Sequence, residues 1–215
     1  METRSLKINP NAVKPAVIRD IARVLAGNGV IVYPTDTFYG LGANCFSQEA
    51  LHRIFEIKKR PGFKGLPVLV SDLEMAKGMT AGLPPVFHTL ASRFWPGPLT
   101  LVLKAASHLP PELVGPGGTI GVRLPAVAWL QALIRETGVA LVTTSANISG
   151  EGELDSAEEV IGLFKGKVDL IVNGGRTPGG KPSTVVDLTG EKPILIREGV
   201  LGRKAMGEFL EYPSQ

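Results

Sequence analysis

The fold is organised around one stretch, Val30-Ile31-Val32-Tyr33-Pro34-Thr35-Asp36-Thr37-Phe38-Tyr39-Gly40-Leu41-Gly42. Its first half is an apolar run rich in β-branched residues, which is typical of a strand buried on both faces. Pro34 has no N–H for a sheet ladder, so it marks the end of that strand. Hydroxyls and a carboxylate then crowd the turn before Gly40. Such a turn indicates either a ligand site or a plain hairpin held by local bonds, and the residues alone leave both open.

The composition is that of an ordinary globular protein. Its 215 residues are 44% hydrophobic and 20% charged, which supplies enough apolar material for a core. With 23 Lys and Arg residues against 20 Asp and Glu residues, the chain is mildly basic; this permits an anionic ligand without by itself indicating nucleic acid. A single cysteine, Cys45, excludes an internal disulfide framework. Because there is neither an apolar run of about 18 residues nor a signal peptide, we expect a cytoplasmic protein without membrane contact.

Helical and strand patterns alternate along the chain. The patterns predict helices at 14–26, 48–60, 84–94, 126–136, 156–164 and 203–211. Apolar runs between them predict strands at 30–33, 66–70, 99–103, 120–124, 139–143, 170–172, 184–188 and 194–197. Several strands are neighbours in sequence, which favours an α/β (α+β) fold with a twisted mixed β-sheet flanked by helices. No long linker interrupts the pattern, so we expect a single domain over residues 1–215.

A second hydroxyl-rich segment, Thr143-Thr144-Ser145-Ala146-Asn147, also follows an apolar strand. Two strand ends that carry hydroxyls predict a shared cleft, whereas the simpler alternative is a capped turn leading to Ser149-Gly150. A nucleophilic serine is not indicated, because no Gly-x-Ser-x-Gly elbow surrounds Ser145. The histidines and the cysteine lack metal-ligand spacing, so no metal site made by the protein is expected.

Three basic residues lie where an apolar element ends. Lys58 continues the apolar stripe of helix 48–60, so its ammonium is expected to reach beyond the helix; the alternative is that it merely complements the helix dipole. Arg123 and Arg197 each end an apolar strand. Such an arginine binds an anionic ligand or pairs with a carboxylate inside the fold, and for either one alone the internal pair is the better interpretation.

The glycine-rich segment Gly175–Lys181 nearly spells a phosphate-binding P-loop. Pro182 stands where the Ser or Thr that holds Mg²⁺ belongs, and a strand pattern follows where a P-loop would open a helix. The P-loop interpretation is therefore rejected. A mobile loop with anion-binding N–H groups and a plain connector both remain open.

Taken together, these residues resemble the YrdC/TsaC family of L-threonylcarbamoyladenylate synthases. The matching stretches lie between about residue 12 and residue 200; they are Tyr33–Leu41, Lys58–Pro61, Gly121–Pro125, Ser145–Gly150 and Ser183–Asp187. The family signature is a Lys-x-Arg followed much later by a Ser-x-Asn. Both halves are intact here, as Lys58, Arg60, Ser145 and Asn147.

The resemblance implies an open α/β fold of the YrdC-like type, with a mixed sheet around a central cleft, in the short single-domain form. It also implies a nucleotidyltransferase that converts L-threonine, bicarbonate and ATP into threonylcarbamoyl-AMP and pyrophosphate. Partner proteins would then transfer the threonylcarbamoyl group to an adenosine beside the anticodon of tRNA.

The resemblance further implies a role for each matching residue. L-Threonine would be held by Thr35, Arg123, Thr143 and Ser183. ATP would be held by Lys58, Arg60, Thr119, Ser145, Asn147 and Arg197, of which Lys58, Arg60, Ser145 and Asn147 would be catalytic. Mg²⁺ would accompany ATP mainly on its phosphates, since no carboxylate cluster is visible in the sequence. Loop 174–181 would close over the cleft as a lid.

The same resemblance leaves a second function open. A protein of this fold without synthase activity would bind tRNA or double-stranded RNA through its cleft. Its supporting feature is the mild positive charge, and salt-dependent RNA binding without threonine-dependent turnover would identify it.

Overall fold

The computed structural model describes residues 2–59, 65–207 and 209–210. The strands in these ranges are β1 (Arg4–Lys7), β2 (Ile31–Pro34), β3 (Tyr39–Gly42), β4 (Val68–Leu69), β5 (Leu99–Lys104), β6 (Thr119–Arg123), β7 (Leu141–Val142), β8 (Thr144–Ser145), β9 (Leu170–Asn173), β10 (Thr184–Asp187) and β11 (Ile194–Arg197). The helices are α1 (Pro15–Ala26), α2 (Gln48–Lys58), α3 (Leu73–Gly78), α4 (Pro85–Phe94), α5 (Ala128–Thr137), α6 (Ala157–Phe164) and α7 (Arg203–Met206), with a 3-10 helix at Pro111–Leu113.

The strands are divided between two mixed sheets. One sheet has the order β1-β9-β2-β3-β8, and the other has the order β11-β10-β5-β6-β4-β7. Each sheet combines parallel pairs, such as β2 with β9 and β4 with β6, with antiparallel pairs, such as β2 with β3 and β5 with β6. The predicted mixed α/β class is therefore confirmed, and the structure adds that the strands form two sheets.

Strand β2 is buried on both of its faces. Val30 and Val32 belong to the larger hydrophobic cluster, whereas Ile31 and Tyr33 belong to a second cluster that packs against α1 and α5. Because successive side chains of a strand point to opposite faces, β2 separates the two clusters. This is the arrangement that the unbroken apolar run predicted.

An antiparallel hairpin connects β2 to β3 through the turn 35–38. Pro34 is the last residue of β2 and pairs with Tyr39 at the start of β3. At the other end of β3, a Cβ on Gly42 would lie 2.1 Å from the backbone oxygen of Val142, so only glycine allows β7 to come this close. The hairpin is thus packed directly against the segment that leads into the second polar stretch.

Helix α2 carries Lys58 on its buried face. Ser47 caps the helix by accepting a hydrogen bond from the backbone N–H of Ala50 at 3.3 Å, as a serine at this position is expected to do. Leu51, Ile54 and Lys58 are all buried, so the lysine continues the apolar stripe as predicted. The helix ends at Lys58, two residues earlier than predicted.

Most element positions agree with the sequence prediction, and the differences concern short elements. The predictions omitted β1, β3, α3 and β8, and they made β4 and β7 longer than the two residues each has. The helix predicted at 203–211 is α7 over Arg203–Met206, and positions 208 and 211 lie outside the described residues. Helix α3 has a clear start signal, because Asp72 accepts a hydrogen bond from the N–H of Met75 at 2.8 Å. No helix in the described parts of the chain is both long and apolar enough to cross a membrane.

Candidate functional site

Lys58 binds the Ser-x-Asn segment through its buried ammonium. Its Nζ donates hydrogen bonds to the backbone oxygen of Ser145 at 2.6 Å, to the backbone oxygen of Asn147 at 3.0 Å and to Oδ1 of Asn147 at 2.8 Å. The hydroxyl of Ser145 donates to the same Oδ1 at 2.7 Å. We call Lys58, Ser145 and Asn147 the lysine cluster.

The backbone around the lysine cluster is fixed from both sides. Strand β8 pairs with β3, so that Ser145 lies opposite Gly40 of the central hairpin. The N–H of Ser149 donates to the backbone oxygen of Lys58 at 3.0 Å, and Nδ2 of Asn147 donates to the backbone oxygen of Glu151 at 2.6 Å. The two halves of the Lys-x-Arg and Ser-x-Asn signature are therefore in contact, although 87 positions separate Lys58 from Ser145.

A second group of charged residues lies where β6 ends and the hairpin turns. Arg123 is buried, and its Nη2 forms an ion pair with Oδ1 of Asp36. Its Nε donates to the backbone oxygen of Gly97 at 3.0 Å. The internal pairing that was considered for Arg123 is therefore present.

Arg197 contacts Ser183 at the start of β10. Its Nε and Nη2 both donate to the backbone oxygen of Ser183, at 3.1 and 2.9 Å, and Nη2 also reaches the Ser183 hydroxyl at 3.1 Å. That hydroxyl lies 3.0 Å from Oγ1 of Thr100 on the neighbouring strand β5. We call Asp36, Arg123, Ser183 and Arg197 the arginine cluster.

The electrostatic environment of Arg197 connects it to Arg123. The residue lies on the exposed edge strand β11, but its guanidinium turns inward onto Ser183. Burial lowers the pKa of this guanidinium; the carboxylate of Glu153 opposes that effect, and the positive charge of Arg123 adds to it. Arg123 is therefore close enough to affect the pKa of Arg197, although the two residues lie on different strands, β6 and β11.

Glu153 connects the arginine cluster to the lysine cluster. Burial raises the pKa of the Glu153 carboxyl, and the charges of Arg197 and then Lys58 act in the opposite direction. A single half-buried carboxyl is thus within electrostatic range of cations from both clusters. Glu153 thus connects Lys58 with Arg197, and Arg197 is in turn affected by the charge of Arg123.

The two threonines predicted to hold an amino acid are each linked to a neighbour of Arg123, Thr35 through the turn that carries Asp36 and Thr143 through Tyr33. Thr35 accepts a hydrogen bond from the N–H of Thr37 at 3.1 Å and donates to the backbone oxygen of Phe38 at 2.6 Å, so its hydroxyl builds the turn that carries Asp36. The hydroxyl of Tyr33 donates to the backbone oxygen of Val142 at 3.3 Å, and burial raises its pKa, an effect that the Thr143 side chain and the charge of Arg123 oppose. Both threonines therefore belong to the surroundings of the arginine cluster.

One predicted site residue, Thr119, lies at the far end of β6 from Arg123. Thr119 begins β6, and its hydroxyl donates to the backbone oxygen of Pro116 at 3.1 Å. At about 3.3 Å per strand residue, it lies roughly 13 Å from Arg123 on the same strand. Arg60 falls outside the described residues.

Loop 174–181 forms a hydrogen bond with the hairpin turn and an ion pair with Asp155. The N–H of Gly179 donates to the backbone oxygen of Thr37 at 2.8 Å, and Arg176 forms an ion pair with Asp155. Gly179 has a φ of +65°, and a Cβ there would lie 2.9 Å from a carboxylate oxygen of Asp155. The segment after the loop is strand β10, which agrees with rejecting a P-loop.

Metal and thiol chemistry have little support in this part of the molecule. Among the described residues, no group of three or more His, Cys, Asp or Glu side chains lies close enough together to hold a metal ion. Cys45 is buried, and burial raises the pKa of its thiol to about 12, so the reactive thiolate is scarce at neutral pH.

Sequence reasoning missed three members of this environment. Glu153 lies in a polar connection without any motif, and Thr100 reads only as a strand residue. Asp36 was visible as part of the polar turn, but its bond to Arg123 joins positions 87 residues apart. The site therefore contains two carboxylates that no motif indicated as partners of its cations, Asp36 beside Arg123 and Glu153 near Arg197 and Lys58.

The comparisons with known proteins agree with the resemblance read from the motifs. Residues 23–199 match the family model Sua5_yciO_yrdC, whose description reads "Telomere recombination". The chain belongs to this family.

Members of the Sua5/YciO/YrdC family with curated names are similar over most of the chain. The threonylcarbamoyl-AMP synthase of Pyrococcus abyssi is 38% identical over 201 residues, which cover 92% of this chain and 59% of that protein. The threonylcarbamoyl-AMP synthase of Chromobacterium violaceum is 40% identical over 164 residues, which cover 76% of this chain and 84% of that protein. The chain thus spans about three-fifths of the length of the Pyrococcus relative.

A solved structure in the family carries an amino acid. The crystal structure of P. abyssi Sua5 complexed with L-threonine matches with a TM-score of 0.88 and 36% sequence identity. The match covers 98% of this chain and 62% of that chain. The family fold is therefore shared over nearly the whole sequence.

Proposed function

We propose that this protein is an L-threonylcarbamoyladenylate synthase, a nucleotidyltransferase that makes threonylcarbamoyl-AMP and pyrophosphate from L-threonine, bicarbonate and ATP. The observation that supports it most is a chain of neighbouring charges: Glu153 is within electrostatic range of Lys58 and Arg197, and Arg197 is within range of Arg123. A carboxylate, a one-carbon acid and a triphosphate all carry negative charge, so a catalyst that gathers them needs several cations around one space. The names and the threonine complex of the relatives point to the same reaction.

The arginine cluster suits the amino acid. Arg123 has N–H groups left to bind the α-carboxylate of threonine, and the hydroxyls of Thr35, Thr143 and Ser183 would bind the rest of the amino acid. The neutral α-amine would attack the carbon of bicarbonate or CO₂ and form a carbamate. With bicarbonate as the carbon source, water is released in this step.

The lysine cluster suits the nucleotide. The carbamate oxygen would attack the α-phosphorus of ATP, and the bond from that phosphorus to the bridging oxygen would break, so that pyrophosphate leaves with the electron pair. Lys58, Ser145 and Asn147, together with Arg60 and Arg197, would stabilise the negative charge that develops on the phosphate oxygens. Thr119 would contact the nucleotide further along β6. Mg²⁺ would enter as part of the ATP substrate, held mainly by the phosphates.

Several further expectations belong to the same proposal. The chain would act as a single domain over residues 1–215, in the cytoplasm, with the loop 174–181 as a lid over the cleft. Proteins that transfer the threonylcarbamoyl group to tRNA would use its product. Direct contact with tRNA or double-stranded RNA remains a prediction for which the described residues offer no specific observation.

A turnover assay tests the proposal directly. The purified protein is incubated with L-threonine, bicarbonate, ATP and Mg²⁺, and pyrophosphate release is measured together with the mass of the nucleotide product. We expect pyrophosphate and threonylcarbamoyl-AMP in equal amounts, and no release when threonine or bicarbonate is omitted. Release of phosphate instead of pyrophosphate would contradict the synthase. Salt-dependent RNA binding without any threonine-dependent turnover would also contradict it and would favour the RNA-binding alternative.

A further inference from the structure

Asp36 is the carboxylate that faces the buried cation of the arginine cluster. Its side chain is 16% exposed and that of Arg123 is 8% exposed, so the pair is largely shielded from water. The two residues come from different sheets, because the hairpin turn belongs to the β2–β3 sheet and Arg123 ends β6 in the other sheet. The ion pair therefore joins the two sheets at the place where the cations gather.

The turn holds Asp36 in one position. The hydroxyl of Thr35 accepts from the N–H of Thr37 and donates to the backbone oxygen of Phe38, which closes the turn around Asp36. The N–H of Gly179 donates to the backbone oxygen of Thr37 and fixes the same turn from outside. A carboxylate on so constrained a backbone presents its oxygens in a defined direction.

Arg123 keeps binding capacity after these contacts are counted. A guanidinium has five N–H groups, and here one on Nε is used by Gly97 and one on Nη2 is used by Asp36. Three N–H groups therefore remain, two on Nη1 and one on Nη2. A planar guanidinium clamped at two points can offer the others to a carboxylate without losing further side-chain freedom.

We propose that Asp36 is a positioning residue that orients the Arg123 guanidinium so that it binds the α-carboxylate of the amino-acid substrate. This inference rests on the proposed function and assigns a role to a residue outside the family signature. It requires that loss of the Asp36 carboxylate weakens binding of L-threonine much more than binding of ATP, because Asp36 bonds to Arg123, which is assigned to the amino acid, whereas ATP is assigned to other side chains. A merely structural ion pair would instead affect both substrates and thermal stability together.

The test compares Asp36→Ala and Asp36→Asn with the wild type. We expect Asp36→Ala to raise the Kd of L-threonine, measured by titration calorimetry, and its KM about tenfold or more, with the KM of ATP changed by less than about twofold. Asp36→Asn keeps an acceptor oxygen but no charge, so it should restore part of the affinity. The matched control is Asp20→Ala, which removes an exposed ion pair with Arg4 and should change neither constant.

Two results would decide against the inference. Threonine affinity of both Asp36 variants within about twofold of the Asp20→Ala control would overturn it. So would equal increases in both KM values that follow a lowered melting temperature. If Asp36→Ala does not fold, Asp36→Asn carries the same comparison alone. Absence of threonine-dependent turnover in the wild type would be a failure of the proposed function, and it is recognised separately because it does not involve the variants.

Discussion

The lysine cluster and the arginine cluster hold their cations in different ways. Three hydrogen bonds of the Lys58 ammonium go to neutral carbonyl oxygens of Ser145 and Asn147. The Arg123 guanidinium instead pairs with the carboxylate of Asp36. The named bonds of Lys58 thus go to carbonyl dipoles, with the Glu153 carboxyl within electrostatic range, whereas the named ion pair of Arg123 fixes its orientation directly on a carboxylate.

Under the proposed function, this difference predicts a division of work between the two clusters. The Lys58 ammonium would stabilise the charge that develops on phosphate oxygens during the reaction, which acts on kcat. An oriented but partly neutralised guanidinium recognises the shape of a carboxylate, which acts on binding. The predictions below, in order of decreasing size, test whether the two clusters differ in this way.

The largest effect is expected when the charge of the lysine cluster is removed. Lys58→Met keeps the apolar stem that packs along α2 but lacks the ammonium, so we expect kcat to fall about 10²- to 10³-fold with a smaller change in the KM of threonine. Steady-state pyrophosphate release measures both constants. The control is Lys77→Met, an exposed lysine in the last turn of α3.

Two results would contradict this role for Lys58. One is full turnover by Lys58→Met, which would remove the ammonium from the chemistry. The other is a loss of activity that tracks a lowered melting temperature, which would make Lys58 a structural residue that fixes the Ser145–Asn147 turn.

A smaller effect is expected for Arg197, which binds Ser183 through two N–H groups on one planar fork. Lysine has no planar fork, so Arg197→Lys should keep the charge but lose the orientation that the bonds to Ser183 provide. Because Arg197 is assigned to ATP, the KM of ATP should rise about tenfold. The control is Arg203→Lys, whose ion pair with Glu198 is exposed and should matter little. An unchanged KM of ATP in Arg197→Lys would show that the geometry of the fork is not needed.

The smallest effect concerns the pH dependence of stability through Glu153. Because burial raises the pKa of this carboxyl, the folded protein holds the proton more tightly than the unfolded chain, which releases it near the ordinary value of 4.5. As pH rises through the interval between the two pKa values, the free energy of unfolding falls. Glu153→Gln cannot ionise, so its melting temperature should rise relative to that of the wild type over this interval. At higher pH the difference between the two melting temperatures should stay constant.

Thermal melts of both proteins between about pH 4 and pH 8 measure this difference. Only a shift of a few degrees or less is expected, since the carboxyl is half exposed and the cations of both clusters oppose the effect of burial. A constant difference in melting temperature across the whole range would show that Glu153 ionises equally in the folded and unfolded states.

Much of the fold could be predicted from local patterns. The unbroken apolar run of β2 indicated burial on both faces, and Ser47 and the apolar stripe located α2 and placed Lys58 on its inner side. These predictions succeeded because side-chain period, capping and chain-breaking residues act over a few positions. The short elements β1, β3, α3 and β8 were missed, since two to six residues carry too little pattern to distinguish them from turns.

The sequence by itself determined the family, the mixed α/β class and the chemical character of the candidate site, because motifs and residue types are local properties. Only the tertiary structure decided that the strands form two sheets, that Lys58 meets Ser145 and Asn147, and that Asp36 pairs with Arg123. Such contacts join residues that are 87 or more positions apart along the chain. They depend on how the hairpin packs against the second sheet, and no pattern within a few residues encodes that packing.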